Sequence, residues 1–260
     1  MHATANGISI NYDISGPKGA PWLIFSNSLA TDLSMWDDQA AQFAKTHRVL
    51  RYDQRGHGRT EAPAGRYSFE TLMADVIGLM DALDVPRASF CGLSMGGATA
   101  LGLAERHVPR FEKIIVCDSP CASTPASSQQ WEERILAARE KGMAPLVEPT
   151  VNRWFPPETV QANRPFLARI RKMIAATPVN GFIGCAAALA DHDFRSDAGH
   201  VTLPTLFLVG QKDGATPTAM RQLHETVRGS HFVELPGAGH ISNMDVPKEF
   251  NDALEKLLKL

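Results

Sequence analysis

Cysteine is scarce in this chain, with four in 260 residues. Cys91 and Cys117 fall within apolar runs that read as buried strands, while Cys121 and Cys185 show neither metal nor redox spacing, so all four are expected as reduced packing residues. An excess of one charge is also lacking. Lysine and arginine total 26 against 28 aspartates and glutamates, a formal net charge of -2, which leaves no global field to hold nucleic acid or an acidic membrane surface. No apolar stretch approaches the length of a membrane span. The start, Met1-His2-Ala3-Thr4-Ala5-Asn6-Gly7, lacks the basic residues and apolar core of a secretion signal, so cytoplasmic residence is the expectation. There is no phosphate-cradling glycine loop, and the scattered histidines, His192 and His200 among them, lack metal-ligand spacing. These absences predict no cofactor, no metal, and no nucleic-acid or membrane partner; they leave the oligomeric state open.

What is present is an ordinary globular composition, 44% hydrophobic and 21% charged, at a length that suits one α/β domain with a modest insertion. Strand-like runs alternate with helical ones, which predicts a mostly parallel sheet covered by helices on both faces. Gly7 to Ser15 is expected as an antiparallel edge strand, followed by a strand over Trp22 to Ser26. Helices are expected over Ser68 to Asp84 with Ser68 as N-cap, from Ser94 towards His107, from Thr216 onward, and over Pro247 to Leu260 with an apolar stripe through Phe250, Leu254, Leu257 and Leu258. Between Ser119 and Val201 the alternation breaks: helical patterns there are separated by Pro145, Pro149, Pro156, Pro157, Pro165 and Pro178, with no convincing strand. An all-helical insertion after a core strand reads as a cap over an active site. The expected division is a core of residues 1–119 and 201–260 and a helical cap of 120–200.

One motif dominates. Gly92-Leu93-Ser94-Met95-Gly96 follows directly on the apolar run Ala88-Ser89-Phe90-Cys91 and reads as a nucleophile elbow, a buried strand turning sharply into a helix with a serine at the apex. The serine backbone must take a positive φ there, which is costly for a residue with a Cβ. The chain passes so close to itself two residues to either side that glycine is required. Ser94 as a mere helix N-cap would not need glycines at those offsets.

Matching partners follow downstream. Pro204-Thr205-Leu206-Phe207-Leu208-Val209-Gly210 has the signature of a buried parallel strand, with Asp213 just past its end; a second strand, His231-Phe232-Val233-Glu234-Leu235, leads into Pro236-Gly237-Ala238-Gly239-His240. Catalytic side chains gather beyond the carboxyl ends of strands in open parallel sheets, where all three candidates lie. A serine hydroxyl becomes a nucleophile only when a base such as His240 accepts its proton, and an aspartate such as Asp213 orients the imidazole and stabilises its charged form. Asp118, at the end of Lys113-Ile114-Ile115-Val116-Cys117, is the nearest competitor as the acid, and His57, in Asp53-Gln54-Arg55-Gly56-His57-Gly58, competes as the base. The second of these segments reads instead as a structural turn braced by Asp53 and Arg55. The backbone N–H of Met95, directly after the nucleophile, is the expected first donor of an oxyanion hole.

With the Ser94, Asp213, His240 order, the Asp53-to-Gly58 turn and the helical insertion, the chain resembles the α/β-hydrolase superfamily over nearly its full length. Ser26-Asn27-Ser28-Leu29-Ala30-Thr31-Asp32 with Met35-Trp36-Asp37 is similar to the oxyanion loop of 3-oxoadipate enol-lactonases, and Trp131-Glu132-Glu133-Arg134-Ile135, Gly142-Met143 and Arg153-Trp154-Phe155 are similar to their cap. These strings are more specific than the triad, which unrelated hydrolases share. Ala30 stands where glycine is expected. The resemblance implies an α/β-hydrolase fold, Leu29 as the second oxyanion donor, no cofactor, and hydrolysis of 3-oxoadipate enol-lactone, a small anionic lactone, to 3-oxoadipate. The ring ester has an enolate-type leaving group, and its acetate arm carries a carboxylate that must be desolvated on entering a lidded pocket, so a cationic partner is expected. Arginine suits that role through its planar fork. Arg134, with Trp131 one helical turn before it, is the chosen partner, and Trp154 is expected to contact the substrate; Arg153 is the alternative cation. Other readings stay open: a hydrolase of another small ester or of a carbon–carbon bond, or a ligand-binding receptor on the same fold.

Overall fold

The computed structural model describes residues 1–259, Asp197 by its backbone alone. Eight strands form one sheet: β1 (His2–Ala5), β2 (Ile8–Ser15), β3 (Trp22–Ser26), β4 (Arg48–Tyr52), β5 (Ala88–Leu93), β6 (Phe111–Cys117), β7 (Thr205–Gly210) and β8 (His231–Leu235). Their order is β1-β2-β4-β3-β5-β6-β7-β8. β1 and β2 pair antiparallel, β2 runs antiparallel to β4, and every pairing from β4 to β8 is parallel. Every residue of β5 and β7 is buried. Side chains alternate between the two faces of a strand, so burial of both sets means the sheet is covered on both sides. The fold class read from the sequence is the one observed.

The edge is different. Gly7 to Ser15 is not the outermost strand, because His2–Ala5 pairs outside it through the register Ala5↔Ile8. Asn6 and Gly7 both take positive φ, 46° and 76°, and an Asn-Gly pair with these angles closes a tight hairpin.

The anticipated helices form at Phe69–Ala82, Met95–Arg106, Thr216–Thr226 and Pro247–Leu258. Ser68 caps the first by accepting the Thr71 N–H. In the last, Phe250, Leu254 and Leu257 are buried and Leu258 is partly so; Leu260, where that helix was expected to end, lies outside the described residues. Phe25 of β3 stacks on Trp36 at 4.7 Å, and Trp36 meets Phe250 at 5.9 Å, which locks the C-terminal helix to the sheet.

Between β6 and β7 the chain is helical, with the longest elements at Pro125–Lys141, Phe166–Ala176 and Val179–Asp191. The prolines there do more than separate helices. Pro125 and Pro157 sit in first turns, and Pro149 lies three residues into the helix Val147–Trp154. A first-turn N–H has no intrahelical acceptor, so proline there costs nothing and presets φ. No single described helix is long and apolar enough to cross a membrane.

Candidate active site

The elbow forms as its sequence requires. β5 ends at Leu93, the helix begins at Met95, and Ser94 between them adopts φ 57°, ψ -112°. Such a conformation costs a non-glycine residue on the order of 1–3 kcal/mol and persists because its surroundings fix it. Here the Ser94 N–H donates to Cys117 O at 2.8 Å, and Ala98 N–H donates to Ser94 O at 2.9 Å. A Cβ on Gly92 would collide with the Gly96 carbonyl, and one on Gly96 with the Ser26 carbonyl of β3. The second glycine is thus dictated by the neighbouring strand rather than by Gly92.

Three loops at the carboxyl ends of their strands bring Ser94, His240 and Asp213 together. His240 Nε2 lies 2.9 Å from Ser94 Oγ, and His240 Nδ1 lies 2.8 Å from Asp213 Oδ2. With a carboxylate at Nδ1, that nitrogen carries the proton and Nε2 is free to accept from the serine hydroxyl. Both side chains are largely buried, 16% exposed for the imidazole and 11% for the carboxylate, where electrostatic interactions are screened less than at the surface.

The insertion holds the imidazole from the other side. His240 N–H donates to Trp154 O at 2.7 Å, and the Trp154 indole lies nearly parallel to the imidazole, 28° and 6.1 Å between centroids. Gly239 must be glycine, since a Cβ would strike the Trp154 carbonyl. Gly239 N–H donates to Asp245 Oδ2 at 3.0 Å, and the other oxygen of that buried carboxylate accepts from Thr159 Oγ1 at 3.1 Å and Arg164 Nη1 at 3.3 Å. Sequence reasoning missed Asp245. Its only signal was an acidic residue five positions after the histidine.

Asp118, the competing acid, does not touch the imidazole. It is fully buried at φ 47°, accepting from Gly210 N–H at 2.7 Å and from the Ser242 hydroxyl. Burial, and then the charge of Asp213, pushes its carboxyl well above the usual carboxylate range. It ties the end of β7 to the segment after His240.

In the loop after β3, Ser28 N–H points at Met35 Sδ (3.4 Å), Ala30 N–H donates to His57 Nε2 (2.9 Å), and Thr31 N–H donates to Ser28 O (3.3 Å). Among the described residues the Leu29 N–H has no acceptor, and neither has the Met95 N–H in the first turn of its helix. Two amides on the elements flanking Ser94 are therefore unpaired. Ala30 takes φ 60°, the conformation that explains why glycine was expected. His57, the competing base, is fully buried and serves the loop instead. Its Nδ1 donates to Arg55 O at 3.1 Å, and burial lowers its pKa to about 4, so the ring is neutral and Nε2 accepts. The turn is braced as expected by Asp53, which accepts from Leu33 and Arg59 N–H, but Arg55 reaches away to pair with Asp75 at 2.5 Å. Ser28 was also missed. Its hydroxyl is buried in the wall of the cavity next to Leu29, with no partner among the described residues.

A cavity of about 400 Å³ opens above Ser94, lined by Leu29, Asp213 and His240 from the sheet side and by Trp131, Arg134, Arg153 and Trp154 from the insertion. A smaller chamber of about 120 Å³ shares Leu29 and those four residues and adds Leu146 and Phe182. The guanidinium carbons of Arg134 and Arg153 lie 4.6 and 5.7 Å from the Trp131 ring centre. Burial lowers the pKa of both, and the Arg134 charge helps bring Arg153 to about 10, so both stay cationic at neutral pH. Arg153 is exposed when the whole residue is counted, but that surface lines the cavity, and the protein around its guanidinium is what desolvates it. No three described histidine, cysteine or acidic side chains are grouped to hold a metal ion.

A sequence profile described as the alpha/beta hydrolase family matches residues 20–253. The chain belongs to that family. It is 37% identical over 257 residues to 3-oxoadipate enol-lactonase 2 of Acinetobacter baylyi, covering 98% of this chain and 95% of that protein. It is 34% identical over 251 residues to 3-oxoadipate enol-lactonase 1 of the same organism, covering 96% and 93%. The crystal structure of the enol-lactonase from Burkholderia xenovorans LB400 superposes on the whole of both chains with a TM-score of 0.96 at 39% identity. This alpha/beta hydrolase thus matches its enol-lactonase relatives over nearly the whole of each chain, and shares the fold of the solved one.

Proposed function

We propose that this hydrolase opens 3-oxoadipate enol-lactone with water to give 3-oxoadipate, through an acyl-enzyme on Ser94. The observation that carries the reading is the Ser94–His240–Asp213 line, 2.9 and 2.8 Å long, beneath a cavity wall with two arginines that pair with no carboxylate among the described residues. His240 takes the Ser94 proton as the oxygen attacks the lactone carbonyl, and Asp213 stabilises the resulting imidazolium. The unpaired amides of Leu29 and Met95 receive the developing oxyanion, and such preorganised donors often supply the largest electrostatic share of catalysis. The ring oxygen leaves as an enol, taking the proton from His240. Water, deprotonated by the same imidazole, then releases the acid as His240 returns the proton to Ser94 Oγ, and the enol tautomerises to the ketone of 3-oxoadipate.

Arg134 takes the acetate-arm carboxylate of the substrate, with Trp131 and Trp154 walling the ring. An arginine with no acidic partner in a partly dry cavity has lost water without gaining a counter-ion, and an anionic ligand supplies one. Residues 120–200 act as a cap on a core of 1–119 and 201–260, excluding water and carrying these contacts. The 37% identity to a 3-oxoadipate enol-lactonase supports the choice of lactone over other esters.

The decisive experiment compares the enol-lactone with a neutral enol ester and a saturated lactone, for the wild type and for Ser94→Ala. The enol-lactone should have the highest kcat/KM, and Ser94→Ala should abolish turnover while leaving the fold intact. A neutral enol ester hydrolysed as well as the anionic lactone would overturn the substrate assignment, and near-normal turnover by Ser94→Ala the mechanism.

A further inference from the structure

Many arginines on the surface of this protein, such as Arg66, Arg169, Arg171 and Arg221, pair with a carboxylate. The two in the cavity do not. Arg134 and Arg153 converge on one indole, Trp131, and among the described residues neither donates to any carboxylate, carbonyl or hydroxyl. Their distances to that ring place the two charges within about 10 Å of each other. Two like charges in a partly desolvated wall repel; the Asp213 charge acts on Arg153 without a hydrogen bond to it and is itself bonded to His240, so one substrate carboxylate satisfies only one of the two guanidiniums.

Resting on the lactonase reading, the chemistry supplies the second anion. The lactone enters with one carboxylate. Hydrolysis breaks its acyl–oxygen bond, adds one water, places the water oxygen on the acyl carbon and releases one proton to solvent, so the product leaves with two carboxylates. We infer that Arg153 and Arg134 together form a dicarboxylate site, in which Arg134 holds the carboxylate present throughout and Arg153 receives the one that hydrolysis creates.

The placement suits this division. Both guanidiniums line the same cavity as Ser94, where the new carboxylate is formed. A separation of up to about 10 Å lets a bent chain of four to six carbons bring one carboxylate to each fork, with the intervening methylenes against the apolar walls of Trp131 and Trp154. Arg153 therefore sets the affinity for product and for product-like diacids, and the enzyme is inhibited by short dicarboxylates more strongly than by monoanions of the same length.

The test measures competitive inhibition by hexanedioate and by its monomethyl ester at pH 7.5 and fixed ionic strength. Hydrolysis of a neutral activated ester by Ser94 serves as the reporter, so that the measurement does not depend on lactone turnover. In the wild type, hexanedioate should bind at least tenfold more tightly than the monoester. Arg153→Gln should bring the two inhibition constants within about twofold, and Arg153→Lys, which keeps the charge, should preserve part of the preference. Equal constants in the wild type, or a diacid preference that survives Arg153→Gln, would refute the dicarboxylate site. Failure to hydrolyse the enol-lactone while the diacid preference persists would instead overturn the lactonase reading and leave the arginine pair standing.

Discussion

His57 carries the prediction that reaches furthest from the reacting atoms. Its neutral ring accepts the Ala30 N–H at 2.9 Å and donates to Arg55 O at 3.1 Å. Replacing it with phenylalanine keeps an aromatic volume but leaves the Ala30 N–H buried with no acceptor, a cost of about 1–3 kcal/mol. The loop can recover that cost only by moving, and the adjacent amide is the unpaired Leu29 N–H. Outright loss of an oxyanion donor costs about 10²–10³ in kcat; displacing one should cost His57→Phe about 10- to 100-fold, with KM little changed. His57→Gln, whose amide oxygen reaches the position of Nε2, restores the acceptor and should recover most of that loss. Steady-state kinetics on the enol-lactone, run beside thermal unfolding, separates the two effects. A His57→Phe enzyme within twofold of wild-type kcat would end the argument that this ring supports the oxyanion loop.

The same residue fixes a pH dependence. In the fold His57 titrates at about 4, against about 6.5 in the unfolded chain. Below 6.5 the unfolded chain takes up a proton that the folded one refuses, so stability is full above that pH, falls as the pH drops towards 4, and levels off below. The total loss is about 3 kcal/mol. His57→Gln removes the titrating group, so its stability should depend less on pH between 6.5 and 4 than that of the wild type. Parallel denaturant midpoints for both proteins across that window would contradict the buried neutral ring.

Asp213→Asn should lower kcat by about 10⁴, because an amide partner favours the wrong imidazole tautomer, whereas Asp118→Asn, which still offers an oxygen to the Gly210 N–H, should cost less than about tenfold; the reverse order would move the acid to β6. Arg134→Ala should lower kcat/KM on the anionic lactone by about 10- to 150-fold, the contribution of a hydrogen bond to a charged group, and should spare neutral esters; equal losses on both would remove its carboxylate role. Gly239→Ala should drive a methyl group into the Trp154 carbonyl, breaking the His240 N–H bond and lowering both kcat and Tm; retention of full activity would show that the insertion does not hold the base.

The parts that were legible in the sequence are those dictated by local geometry. The positive φ at Ser94 and the glycines beside it follow from one tight strand-to-helix turn, and the positions of Asp213 and His240 follow from the ends of two β-rich apolar runs. Fold class was legible for the same reason, since the periodicity of a buried parallel strand is written within five to seven residues. Even the edge strand has a local sign, the Asn6-Gly7 pair, whose positive φ angles close the hairpin between β1 and β2.

What escaped the sequence are bonds between segments far apart in the chain. Asp245 matters because its carboxylate faces the Gly239 amide on one side and Thr159 and Arg164 of the insertion on the other, and no spacing rule predicts that meeting. His57 matters because it lies 27 residues from the amide it accepts. Arg153 reads in the sequence as the alternative cation to Arg134, and only the fold shows that the two converge on one indole. Asp245 and His57 act on backbone amides rather than by a motif of their own. The insertion is consequently tied into the position of the base: Trp154 O holds the His240 amide at 2.7 Å while its ring lies along the imidazole. A change in the insertion that moves Trp154 should therefore disturb His240 as well, through the shared amide bond and the ring contact.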